Sequence, residues 1–400
     1  MSKERIDPVS AVAEKDSVGW THVAKLRLIP PEKPLKLELG GRLAPIDIEY
    51  ETYGKLSQDK DNVVLVAHAL SGDAHAAGWD ADATENFRSW RLNKPGWWDS
   101  IIGPGKAIDT DRFFVICPNC VGSCYGSTGP SSINPETNKP YGMSFPMVTV
   151  EDWTEIEGRL LDHLGIKKIH AIIGGSLGGQ QAIEFALRFP DRVEKSIVLA
   201  ATPRLSAQGL AFNAVGRYCI MNDPNFNEGN YYEGAKPDKG LAAARMLAHI
   251  TYLSDEGMHD KFGRKLWDKT DFEGGFGIEF AVESYLDHQG RAFVNRFDAN
   301  SYLYITRAMD YYDAAERWGG GDLVKACSKI KCDMMIVSFS SDWLYPPHEC
   351  KQFSLAITAN RHPVTYVNVP SPYGHDSFLV ETESVTRLVK PFLESKKESE

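Results

Sequence analysis

No run in this chain approaches the ~18 consecutive apolar residues of a membrane-spanning helix, so no membrane association is expected. The opening segment, MSKERIDPVSAVAEKDS, is polar and lacks the apolar centre of a signal peptide, and the expected compartment is cytoplasmic. Positive charge is scarce: 44 Lys and Arg face 54 Asp and Glu, a formal net charge of −10, and the basic residues are scattered. That excludes a nucleic-acid-binding surface, and an anionic ligand must meet a local basic patch rather than a global field. Cysteine is sparse and odd in number, seven without regular spacing, which fits reduced thiols better than a disulfide framework. Cys117, Cys120 and Cys124 in CPNCVGSC resemble part of a metal or iron–sulfur set. No matching fourth ligand group follows them, so no metal is expected. Internal repeats, the G-x-G-x-x-G spacing and a Walker loop are also missing.

What is present is a composition ordinary for a soluble globular protein, 42% hydrophobic and 24% charged, on 400 residues that allow a fully developed core. Short β-rich runs alternate with helical patterns, the signature of a mostly parallel sheet wrapped by helices. Residues 35 to 54 read as an opening hairpin turning at Gly40 and Gly41. Apolar runs follow at 62–70, 113–119, 168–176, 194–202, 332–340 and 364–371, most of them continuous, as strands buried on both faces should be. Between 203 and 325 the rhythm stops, and GLAAARMLAHITYL, IEFAVESYLDHQGRAFV and ANSYLYITRAMDYYDAAER are helical by period. The expected organisation is therefore a core formed by 1–202 and 326–394, a helical lid insertion at 203–325, and a flexible tail at 395–400.

The segment HAIIGGSLGGQQAIEFALRFP, 170 to 190, places a glycine-framed serine between a strand ending at Ile173 and a helix starting near Gly179. Gly174-Gly175-Ser176-Leu177-Gly178 fits G-x-S-x-G, the nucleophile elbow, in which a strained serine sits at the strand's carboxyl end and small neighbours avoid collision. Such a serine needs a histidine base and an acid, in chain order Ser, Asp, His. Asp342 lies just past one later strand and His375 in the loop after the next. His68 and His75 precede the serine and are second choices, and Asp333 would sit at the wrong end of the sheet. HALSG, 68 to 72, follows the early strand, so the oxyanion hole is expected from the N–H groups of Leu70 and Leu177.

HALSGDAHAAG, KPGWWDSIIGPGKAIDTDRFFVICPN, GSTGPSSINP, GGSLGGQQAIEF, LSAQGLAFNAVGR, HITYLSDEGM, RFDANSYLYITRAMDYYD, SDWLYPP and SPYGHDSFL carry a closer likeness. Through them the chain resembles the homoserine O-acetyltransferase family, acyl-CoA-dependent enzymes of methionine biosynthesis with the α/β-hydrolase fold, from about residue 30 to 390. The resemblance implies Ser176 as nucleophile, Asp342 as acid, His375 as base, and Arg217 and Asp376 as substrate-binding residues. A carboxylate suits a bidentate arginine and an ammonium suits an aspartate. It further implies acetyl-CoA as co-substrate with no permanently bound cofactor, L-homoserine as acceptor, a covalent acyl-serine intermediate and a homodimer. The elbow reads Ser-Leu-Gly-Gly-Gln where many members have Ser-Met-Gly-Gly-Met. Succinyl-CoA as donor, serine as acceptor, ester hydrolysis and a catalytically dead binding protein stay open as alternatives.

Overall fold

The computed structural model describes residues 16–86 and 88–395. The polar opening segment up to residue 15 and the expected tail beyond residue 395 lie outside the described residues. Eight strands form the central sheet: β1 (Ala24–Ile29), β2 (Ile46–Tyr53), β3 (Val63–Ala67), β4 (Phe114–Pro118), β5 (Ile169–Gly175), β6 (Val193–Leu199), β7 (Asp333–Phe339) and β8 (Val364–Val369). Their spatial order is β1-β2-β4-β3-β5-β6-β7-β8, parallel from β4 to β8, with β1 and β2 antiparallel at one edge. This is the mostly parallel α/β-hydrolase arrangement expected from the sequence.

Alternate side chains along the strands enter two separate cores. Val63, Leu65, Ile172 and Val198 pack on one face, against α1 (Val150–His163) and α2 (Leu177–Arg188). Val64, Val66, Ile173 and Leu199 pack on the other face, with residues of the carboxyl-terminal helix Thr382–Glu394. Two buried faces explain why the inner strands lie mostly on continuous apolar runs, whereas the edge strand β8, VTYVNV, alternates and is largely half-buried or exposed.

The expected hairpin at 35–54 is divided. Leu35–Lys36 and Arg42–Leu43 pair across the Gly40–Gly41 turn, which Leu37 N–H closes on Gly41 O at 2.8 Å. Beyond it, Ile46–Tyr53 leaves and pairs with β1, a strand the sequence reading did not pick out. Lys25 and Arg27 alternate with half-buried apolar residues there, a pattern too short and too charged to announce a sheet edge.

Between β6 and β7 the chain is mainly helical: α3 (Ala207–Met221), α4 (Asp238–Tyr252), α5 (Asp255–Phe262), α6 (Ala281–Val294), α7 (Ala299–Tyr311) and two short helices ending at Cys327. α4 lies against the turn Gly374–Asp376. Trp343 Nε1–H donates to Leu253 O at 3.0 Å, and the Phe212 ring lies 5.3 Å from that of Trp343. The helical segment thus sits directly over the loops that follow β7 and β8.

Candidate active site

Ser176 is the single residue between β5 and α2, and it holds φ 56° and ψ −124°. A non-glycine residue in that region costs on the order of 1–3 kcal/mol and persists only where its surroundings impose it. They do so here. A Cβ at Gly178 would lie 2.1 Å from Ala67 O of β3, and one at Gly174 would lie 2.3 Å from the Gly178 carbonyl. The turn is tighter than the sequence suggests, because Gly174 and Gly175 still pair in the ladder with Val198 and Leu199 of β6.

Asp342 follows β7, and His375 lies in the 3-10 turn after β8. His375 Nδ1–H donates to Asp342 Oδ2 at 2.8 Å, while Asp342 Oδ1 accepts the N–H groups of Leu344 (3.0 Å) and Tyr345 (2.9 Å). That fixes the imidazole tautomer and leaves Nε2 as the basic atom. The His375 ring stacks on Tyr345 with centroids 5.2 Å apart and meets the edge of Phe378 at 5.6 Å. Burial keeps the Tyr345 phenol protonated, and its hydroxyl is a neutral neighbour of Ser176. Ser176 and His375 line one cavity of about 150 Å³, together with Leu70 and Asp376. Leu177 is the first residue of α2, where an N–H has no partner within its own helix.

The second-choice histidines have structural duties. His68 donates from Nδ1 to Ala69 O (2.8 Å) and accepts the Cys120 N–H at Nε2 (3.0 Å). His75 faces the Glu51 carboxylate at 3.1 Å, beneath the loop that carries Leu70. Asp333 opens β7, at the end of the sheet opposite Asp342. Cys117 and Cys120 are buried, and Cys120 Sγ points to Gln181 Oε1 at 3.4 Å. Among the described residues no group of three or more His, Cys, Asp or Glu side chains could hold a metal ion.

The two predicted substrate residues are placed differently. Asp376 lines the Ser176 cavity, and burial raises its carboxyl above the ordinary carboxylate range. Arg217 does not line that cavity; its guanidinium pairs with Asp310 Oδ2 of α7 at 2.5 Å, and both side chains are buried. The arginine that does line it is Arg245 of α4, which sequence reasoning missed. Arg245 makes no ion pair among the described residues and lies over the Phe293 ring at 4.6 Å and the Tyr252 ring at 5.6 Å. A signal was available: Arg245, His249 and Tyr252 are spaced i, i+4, i+7 on one face of α4, and all three line the cavity. Burial and the nearby Arg245 charge push His249 down to about 3, so it is neutral there.

A second cavity, of about 40 Å³, touches Ser176 from the other side and is lined by Leu205, Phe212, Leu247, Tyr302 and Met309, with no cationic side chain.

Known proteins agree with this architecture. A family model described as the alpha/beta hydrolase fold matches residues 62–382. A homoserine O-acetyltransferase of Methanosalsum zhilinae is 50% identical over 380 residues, which span 95% of this chain and 74% of that protein. A homoserine O-succinyltransferase of Alkalilimnicola ehrlichii is 47% identical over 95% of this chain and 96% of its own length. The crystal structure of a homoserine O-acetyltransferase from Bacillus anthracis superimposes with a TM-score of 0.85 at 27% identity, covering 94% of this chain and 99% of that one. With the fold, the elbow and these relatives in agreement, the chain belongs to the homoserine O-acetyltransferase family of α/β-hydrolase-fold proteins.

Proposed function

We propose that the protein moves an acetyl group from acetyl-CoA to the hydroxyl of L-homoserine through an acyl-Ser176 intermediate, a step of methionine biosynthesis. The observation that carries this reading is that Arg245 and Asp376 both line the cavity shared by Ser176 and His375. A plain hydrolase needs no such pair. A cation and a carboxylate facing one cavity fit the carboxylate and ammonium of an amino acid. The acceptor's carboxylate is thereby assigned to Arg245, which lines the Ser176 cavity, in place of Arg217, which does not line it and pairs with Asp310.

His375, held by Asp342, takes the Ser176 proton as the hydroxyl attacks the thioester carbonyl, and the oxyanion rests on the N–H groups of Leu70 and Leu177. The proton passes to the departing thiolate, and coenzyme A leaves. Homoserine then gives its hydroxyl proton to His375 and attacks the acyl carbon; the bond to Ser176 Oγ breaks, His375 returns the proton to that oxygen, and O-acetylhomoserine leaves. Transfer must outrun hydrolysis, and Ser176 is only 7% exposed, beneath the helices inserted between β6 and β7. The cavity of about 40 Å³ beside Ser176 suits a methyl group in size and, with no cationic side chain in its lining, offers a dicarboxylic donor no counter-charge, which favours acetyl over succinyl.

A homodimer is part of this reading, supported by the outward face of α3, where Val215, Tyr218 and Met221 are exposed. So is a cytoplasmic location, because coenzyme A thioesters and free homoserine are intracellular metabolites. No described helix is long and apolar enough to cross a membrane.

Mixing the protein with acetyl-CoA should release a burst of coenzyme A matching the number of active sites, and added homoserine should appear as O-acetylhomoserine. Ser176→Ala should abolish the burst; a burst that survives removes Ser176 from its role. Steady-state comparison of acetyl-CoA with succinyl-CoA, against homoserine and serine, settles donor and acceptor.

A further inference from the structure

Outside the catalytic cavity lies a groove of about 520 Å³ whose walls include Trp90, Lys94, Trp97, His288 and Arg296. Ala69, Ser71 and Arg245 line both spaces, so the groove opens from the Ser176 cavity. We infer that this groove binds the phosphates of the thioester donor, with Lys94, His288 and Arg296 as their partners. The inference rests on the donor being an acyl-CoA, as proposed above, and adds where its charged end is held.

The charges in the groove do not cancel. Arg91 also lines it, but its charge is answered by Asp73 and Asp80, each at 2.6 Å. Asp73 is the groove's one carboxylate among the lining residues, and it is spent on that pair. Lys94, His288 and Arg296 make no ion pair among the described residues. Arg296 uses one nitrogen, Nη1, on Ser71 O (3.0 Å) and Tyr125 Oη (2.6 Å), which anchors it to the oxyanion loop. His75, 3% exposed and also lining the groove, has Nε2 buried without a partner. On a chain of formal charge −10, the Lys94 and Arg296 cations, with no ion-pair partner among the described residues and Arg245 beside them, form the local basic patch that an anionic ligand requires, and His288 adds a ring N–H donor.

The donor's chemistry matches this layout. Its acyl carbon must reach Ser176, and an uncharged pantetheine arm separates that carbon from the phosphates. The phosphates therefore lie outside the catalytic cavity, in the space continuous with it. Arg245 stands at the junction and is reserved for the acceptor.

The test uses Lys94→Glu and His288→Ala, singly and together, with acetyl-CoA and with acetyl-pantetheine, which carries no phosphate. For the double variant the KM for acetyl-CoA should rise roughly tenfold. Its kcat, its KM for homoserine and its KM for acetyl-pantetheine should stay within twofold. In the parent protein, about 0.5 M salt should raise the KM for acetyl-CoA and leave that for acetyl-pantetheine unchanged. An unchanged KM for acetyl-CoA in the double variant, or an equal rise for both donors, overturns the groove assignment while leaving the acetyl-transfer reading intact. A parent protein that neither releases coenzyme A nor transfers acetyl overturns that reading, and the groove assignment falls with it.

Discussion

Asp342 and His375, which stand on loops after adjacent strands, meet at 2.8 Å, and the oxygen of Asp342 that does not touch the imidazole is held by two backbone N–H groups. The carboxylate is therefore fixed from both sides and acts as an orienting group for the ring. Asp342→Asn should leave the fold in place and present the wrong tautomer, lowering kcat by roughly 10³–10⁴. Steady-state kinetics with a matched thermal melt checks this, and a drop of less than tenfold would remove Asp342 from the triad.

The two arginines can be told apart. Arg245→Gln should raise the KM for homoserine at least tenfold and leave hydrolysis of a simple acetyl ester standing. Arg217→Gln should instead cost roughly 1–3 kcal/mol of stability, because Asp310 loses its buried guanidinium and keeps Asn213 at 2.8 Å and Arg307 at 3.5 Å, with little change in the homoserine KM of the folded protein. Denaturant unfolding and kinetics on the same two samples check both halves; the reverse pattern would return the acceptor's carboxylate to Arg217.

Gly178→Ala would press a Cβ from the first turn of α2 to 2.1 Å from Ala67 O, a backbone atom held in the ladder opposite Gly174. The variant should fail to accumulate as folded protein or should lose coenzyme A release entirely. Soluble expression and circular dichroism, followed by the burst assay, read the outcome.

Glu157 is 4% exposed, and burial pushes its carboxyl up to about 8. In the fold it stays protonated until about pH 8, whereas the unfolded chain ionises it near 4.5. The unfolded state thus binds fewer protons between these values, and this residue's contribution to stability falls as pH rises from about 4.5 to 8. Glu157→Gln should melt higher than the parent at pH 8–9, by up to a few kcal/mol at ~1.4 kcal/mol per pH unit. The gap should close towards pH 5. A gap independent of pH would show that the carboxyl is already ionised in the fold.

Much of the site was legible because it is written in local punctuation. Ser176 is framed by glycines that neighbouring backbone makes obligatory, and Asp342 and His375 each follow a strand whose apolar run ends visibly. The inner strands were readable because burial on both faces leaves a mostly apolar stretch, and β8 because its β-branched and aromatic residues alternate with polar ones. Arg245 was not, because one charged residue inside an amphipathic helix reads as solvated surface. The packing of α4 against α3, α6 and the turn at Gly374–Asp376 turns that face inward. β1 escaped because the partner that makes it a strand lies beyond an intervening turn.

The residues divide by origin. The sheet's loops carry Ser176, Asp342 and His375, whereas Arg245, His249 and Tyr252 all come from one helix of the segment between β6 and β7. Bond breaking and the grip on the acceptor's carboxylate are thus encoded in separable stretches of chain, while Asp376, beside His375, stays with the sheet's loops. A descendant that rebuilt the inserted helices would keep a working acylation apparatus and change what receives the acyl group. If it lost the grip on the amino acid altogether, water would become the second substrate by default.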